Sequence, residues 1–128
     1  MTGQKSSVAF TRATPVLMCG SYVISRDFYM EKLGFQRLEE GGDPPRFGIF
    51  RRDRAIVFLD SWHGARAPAP QAWDAYFHVT DATKLAHELE AVGVGISKPL
   101  HDAVYGMREF EVTDPDGNVL CFGEDFDG

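Results

Sequence analysis

Short apolar runs separated by polar, Gly- and Pro-containing breaks fill the chain, and their order repeats once. Residues 1–11 are polar and predict a loose tail. Ala13–Cys19 (ATPVLMC) is a short apolar run and predicts a strand. Tyr22–Leu33 predicts a helix, with Phe28, Tyr29 and Leu33 on one face and Ser25 at its cap or in its first turn. Gly34 follows as a stop signal. Phe35–Glu39 predicts a strand, and Gly41–Pro45 (GGDPP) a loop. Arg46–Arg51 and Ala55–Asp60 predict two strands around the charged turn Arg52-Asp53-Arg54. Ser61–Gln71, rich in Ala, Pro and Gly, reads as a linker.

The order then recurs. Ala75–Val79 predicts a strand. Asp81 is a good N-cap for a helix over Ala82–Val92, where Leu85, Leu89 and Val92 form one apolar face. Gly93 ends it as Gly34 ended the first. Val94–Pro99 reads as short and extended, followed by a loop. Arg108–Thr113 and Asn118–Phe122 predict a hairpin around Asp114-Pro115-Asp116-Gly117, where Pro115 pre-sets φ and Gly117 accepts a positive φ. Each half is therefore strand, helix, three strands. The predicted fold is α+β: one domain over 12–124, built from two βαβββ modules at about 12–66 and 72–124. The modules form a curved mixed sheet, a cup with its helices outside, and 125–128 form a second loose tail.

Composition narrows the function. Apolar residues make up 44% and charged residues 25% of the 128 positions, as in a soluble globular domain. A net charge of −6 argues against nucleic acid as a partner, which needs clustered Lys and Arg, and is compatible with a cationic ligand. No apolar run is long enough to span a bilayer, and no secretory h-region is visible near the start. Cys19 and Cys121 are far apart and read as two buried thiols, so a cytoplasmic setting is expected. Ten Phe, four Tyr and two Trp provide more ring surface than a minimal core needs.

Pro15–Leu17, Ser25–Tyr29 and Leu33–Phe35, with Tyr105–Phe110 running into Asp114–Asn118, resemble the vicinal oxygen chelate superfamily. That superfamily includes glyoxalase I, extradiol dioxygenases and bleomycin-resistance proteins, and the Tyr105–Asn118 segment is most similar to the bleomycin-resistance branch. The resemblance implies the glyoxalase/bleomycin-resistance fold. It also places the metal-ligand positions of the enzymes at Thr14, near Val57 or Phe58, at Asp74 and at Cys121. Those residue types are not a recognisable divalent-metal set. No metal, cofactor or catalytic residue is therefore expected. The branch implies a homodimer whose interface crevice holds a small molecule, bleomycin-like ligands included. Tyr105 and the region of Trp62 would line that crevice.

The expected ligand-binding residues are Phe58, Trp62, Trp73, Tyr76, His78, Tyr105, Arg108 and Cys121, because planar and cationic ligands stack on ring faces. Phe47 and Phe58 also read as core. Three functions stay open. One is metal-independent sequestration. Another is a metal-dependent lyase, isomerase or dioxygenase with an atypical set, in which Asp74, His78 and Cys121 hold zinc or move a proton. The third is a domain that only dimerises or docks on another protein. Against the second, His78 reads rather as a hydrogen-bonded wall residue and Cys121 as a small apolar filler. His63 and His87 read as solvated, and His101 as a loop residue without an identifiable partner. Arg108 and Glu109 read as an ion pair across the sheet, or Arg108 as a ligand contact.

Overall fold

The structure is a computed structural model that describes residues 6–67, 69 and 72–125. The parts of the expected tails at 1–5 and 126–128, and linker positions 68, 70 and 71, lie outside the described residues. The first module contains β1 (Val16–Met18), α1 (Tyr22–Asp27), β2 (Gln36–Gly41), β3 (Phe47–Arg52) and β4 (Ala55–Asp60). The second contains β5 (Ala75–His78), α2 (Ala82–Ala91), β6 (Lys98–Asp102), β7 (Met107–Thr113) and β8 (Val119–Asp125). The sheets have the same topology, β1-β4-β3-β2 and β5-β8-β7-β6. In each, the first strand pairs parallel with the last and the other pairs are antiparallel. The repeat read from the sequence is a structural repeat.

Local chemistry sets the helices. Ser21 caps α1 by accepting from the Ile24 amide at 3.4 Å, and Ser25 sits buried in the first turn. Helix α1 relaxes into a π-helical turn over Phe28–Lys32, closed by the Leu33 amide on the Phe28 carbonyl. Asp81 caps α2 through the Lys84 amide at 2.9 Å. The expected apolar face of α2 shifts: Ala82, Ala86 and Leu89 are buried, Leu85 is half-buried and Val92 is exposed. The left-handed turn at Gly93 (φ 88°) leaves Val92 outside and drops Val94 into the core instead. In turn, β6 begins at Lys98 rather than Val94, so His101 lies on a strand and not in a loop.

One apolar core joins both modules, with Tyr29, Leu33 and Phe50 from the first and Leu89, Phe110 and Leu120 from the second. Two turns clasp across it. The Asp114–Gly117 turn reaches the π-helical turn after α1, where the Tyr29 hydroxyl donates to Asp114 Oδ2 at 2.7 Å. At the β3–β4 turn, Arg52 donates to the Leu33 carbonyl at the end of the first helix at 3.0 Å and to Glu88 of α2 at 2.9 Å. The modules thus pack within one chain, and the faces of both sheets turned from this core are left for other work.

Both cysteines are free and fully buried. Burial, reinforced by nearby carboxylates, pushes each thiol pKa up to about 12. The native protein is therefore expected to resist thiol reagents and to titrate two thiols only after denaturation. Rapid labelling of either cysteine in the native state would refute this account of their surroundings.

Candidate aromatic and carboxylate site

Strand alternation builds the site. Along β7, Phe110 and Val112 enter the core, so Met107, Glu109 and Glu111 stand on the opposite face. Along β8, Leu120 and Phe122 enter the core while Cys121 and Gly123 take that outer face. Register aligns His78 with Gly123, Gly123 with Glu109, and Glu109 with His101, one line across all four strands. The next line is Tyr76, Cys121, Glu111 and Lys98. Gly123 leaves a gap in the first line, and the Tyr76 phenol lies across it, because a Cβ there would overlap the Tyr76 hydroxyl.

The centre of the site is the Glu109 carboxylate, only 2% exposed. Tyr76 donates to its Oε2 at 2.8 Å and Tyr105 to its Oε1 at 2.5 Å. His101 Nε2 lies 3.3 Å from Oε1, with its Nδ1 3.0 Å from the Pro99 carbonyl, so both ring nitrogens face acceptors. Burial pushes Glu109 toward protonation. The two phenol hydrogen bonds and the charge of His101 outweigh it, and the Glu109 pKa lies below the ordinary 4.5. The carboxylate is ionised at neutral pH.

Aromatic rings gather beside it on the same face. Trp73 packs on Tyr76 with centroids 4.9 Å apart, and Tyr76 on His78 at 5.2 Å. The Trp73 indole N–H donates to Glu111 at 3.1 Å. Trp73, Tyr76, His78, Tyr105 and Met107 line an open depression of about 390 Å³. Four of the residues expected from the sequence, Trp73, Tyr76, His78 and Tyr105, thus come together.

The other four do not line this depression. Phe58 and Trp62 belong to the first sheet, where Phe47 stacks on Trp62 (5.4 Å, 5°) and meets Phe58 edge-on at 5.4 Å. These rings form a second aromatic surface, and Phe47 is part of it rather than of the core. Arg108 alternates to the face opposite Glu109 and forms its ion pair across the sheet with Asp102 of β6 at 3.0 Å, which corrects its expected place among the ligand-binding residues. Cys121 is fully buried between the positions of Tyr76 and Glu111, so it supports the wall and offers no surface to a ligand. Sequence reading missed Glu109 and Glu111 as a pair on the aromatic face. The signal was the alternation in Met107–Thr113 (MREFEVT), whose two glutamates fall opposite Phe110 and Val112.

The positions at which the resemblance places metal ligands do not fit a metal. Val57 is fully buried in the core, and Phe58 packs on Phe47. Asp74 accepts from the Val119 amide at 2.8 Å and fastens β5 to β8. The Cys121 thiol stays protonated, whereas a coordinating thiol must be deprotonated. Among the described residues, no group of three or more His, Cys, Asp or Glu side chains is arranged to hold a metal ion.

The sequence profile of the Glyoxalase/Bleomycin resistance protein/Dioxygenase superfamily matches residues 12–122. The chain belongs to this superfamily. Among solved structures it is similar to a bleomycin-binding protein from bleomycin-producing Streptomyces verticillus, solved with copper(II)-bleomycin. The two share 25% identity and a TM-score of 0.71 over 90% of this chain and 96% of that one. An antibiotic-binding protein, TnmS3, from a Streptomyces species has 20% identity and a TM-score of 0.75 over 94% and 99% of the two chains. A lactoylglutathione lyase from Agrobacterium tumefaciens has 18% identity and a TM-score of 0.70 over 94% and 96%. No curated protein matches the chain. Binding proteins and an enzyme share this architecture, so the choice between them rests on the side chains.

Proposed function

We propose that this chain is a metal-independent binding protein of the bleomycin-resistance type, sequestering an aromatic or cationic small molecule. The observation that carries this reading is the ionised, buried Glu109 beside the rings of Trp73, Tyr76 and Tyr105. Rings offer stacking area, and a carboxylate beside them attracts positive charge. The bleomycin-binding relative supports the ligand class. Among the described residues, the rings of Phe47, Phe58 and Trp62 make no ring contact with the second set. A crevice using both sets therefore takes a second copy of the chain, and a homodimer is part of the proposal. The setting is the cytoplasm, which accords with two free thiols.

Two measurements test it. After incubation with Zn²⁺, Mn²⁺, Fe²⁺ or Ni²⁺ and removal of excess, the protein is expected to retain far less than one ion per chain. A tightly held stoichiometric ion would overturn metal independence. Titration with bleomycin and other cationic aromatic compounds is expected to change Trp fluorescence and raise the melting temperature. A ligand at a hundredfold excess over its Kd adds about 2.7 kcal/mol. No response to any of these compounds would remove the binding reading.

A further inference from the structure

The two tyrosines on Glu109 are held differently. Tyr76 sits on β5 between the rings of Trp73 and His78, with its hydroxyl seated over Gly123. It is part of the wall. Tyr105 stands on the turn between β6 and β7, 55% exposed, beside the fully exposed Val104 and the left-handed Gly106 (φ 88°). Among the described residues its ring packs on no other ring, and its one hydrogen bond runs from the hydroxyl to Glu109 Oε1. That bond ties the exposed turn to the carboxylate.

We propose that Tyr105 holds the place of a ligand's N–H donor, and that the site selects planar aromatic amidinium or guanidinium groups which displace the Tyr105 hydroxyl from Glu109 Oε1. This rests on the reading of the aromatic face as the binding site. Glu109 is ionised and buried, so a ligand that lifts Tyr105 away leaves Oε1 with His101 alone unless it returns a donor there. A neutral apolar ring cannot do so. An amidinium is flat enough for the ring-lined depression and carries parallel N–H groups suited to a carboxylate. Glu111, on the same face two residues along, adds negative charge, with its Oε2 taken by the Trp73 indole. His101 and Lys98 lie on the far side of Glu109 and Glu111 in register, so the approach from Trp73 and Tyr76 is the one a cation would use.

Benzamidine and its neutral isostere benzamide separate charge from shape. Binding is followed by NMR at the Trp73 indole N–H in wild type, Tyr105→Phe and Glu109→Gln, with thermal melts to establish that each is folded. Wild type is expected to prefer benzamidine. Tyr105→Phe removes the competing hydroxyl and should tighten benzamidine about tenfold, with benzamide changed less than about twofold. Glu109→Gln should erase the preference; should that variant not fold, the Tyr105→Phe comparison decides alone. Equal weakening of both probes in Tyr105→Phe would make Tyr105 a wall residue and overturn the inference. So would equal binding of the two probes to wild type. If bleomycin still perturbs Trp73 in that event, the binding reading stands without the inference; if bleomycin is also silent, both fail.

Discussion

An Asp114→Ala chain is expected to lose about 3–5 kcal/mol, a large part of the stability of a domain this size. Asp114 is 4% exposed, and its carboxylate takes four hydrogen bonds. Oδ1 accepts from the amides of Asp116 and Asn118, both at 2.9 Å, which fixes the turn. Oδ2 accepts from Asn118 Nδ2 at 3.0 Å and from the Tyr29 hydroxyl at 2.7 Å, which joins the turn to the other module. Asn118 in turn donates to the Met18 carbonyl at 2.9 Å. Tyr29 is fully buried, and burial, followed by the negative charge of Asp114, holds its phenol pKa well above the ordinary value. Alanine would strand that hydroxyl in the core with two amides and an Asn side chain short of an acceptor. Tyr29→Phe, which removes one donor and leaves the turn intact, should cost only about 1–2 kcal/mol. Urea unfolding of the three chains, followed by circular dichroism, measures both. A loss below about 1 kcal/mol for Asp114→Ala would mean that backbone packing alone holds the turn and the module junction.

What could be read from the sequence follows from which contacts are local. The two stop glycines, the Asp81 cap and the Asp114–Gly117 turn each depend on a few neighbouring residues, and all are present in the structure. The fold class followed from their repetition. The partner of Asp114 did not, because Tyr29 is 85 positions away and a turn residue's second role leaves no local mark. The candidate site has the same character. Alternation in β7 gives the faces of Glu109 and Glu111, but not which strand lies alongside. The line from His78 to His101 depends on the parallel β5–β8 pairing, and on a register irregularity between Lys98 and His101. A slip of one residue would have turned every side chain of a strand to the other face. Arg108 shows the consequence. It neighbours Glu109 in sequence, yet the pleat sends the two to opposite faces, and its ion pair forms with Asp102 on β6.

Gly123→Ala is expected to weaken ligand binding by more than tenfold while removing no polar group from the site. Gly123 is buried in β8, with Glu109 opposite on β7 and His78 opposite on β5. Its φ is not positive, so alanine brings no backbone strain, and the effect is steric alone. The added methyl would overlap the hydroxyl and the ring carbon bearing it on Tyr76. Strands on both sides of β8 fix its backbone, so Tyr76 must move instead. In moving, it gives up its 2.8 Å bond to Glu109 and the packing against Trp73 and His78 that makes the wall. Overpacking of this kind costs about 1–3 kcal/mol, less than Asp114→Ala, so the variant should remain folded. Tyr76→Phe is the matching control: it keeps the ring in place, loses only the hydroxyl, and should fall between wild type and Gly123→Ala in affinity. Bleomycin titration and a thermal melt on the same samples separate lost binding from lost folding. Unchanged affinity in a folded Gly123→Ala chain would show that the Tyr76–Glu109 contact lies outside the ligand's footprint, and the site would then have to be sought on the Phe47–Trp62 surface.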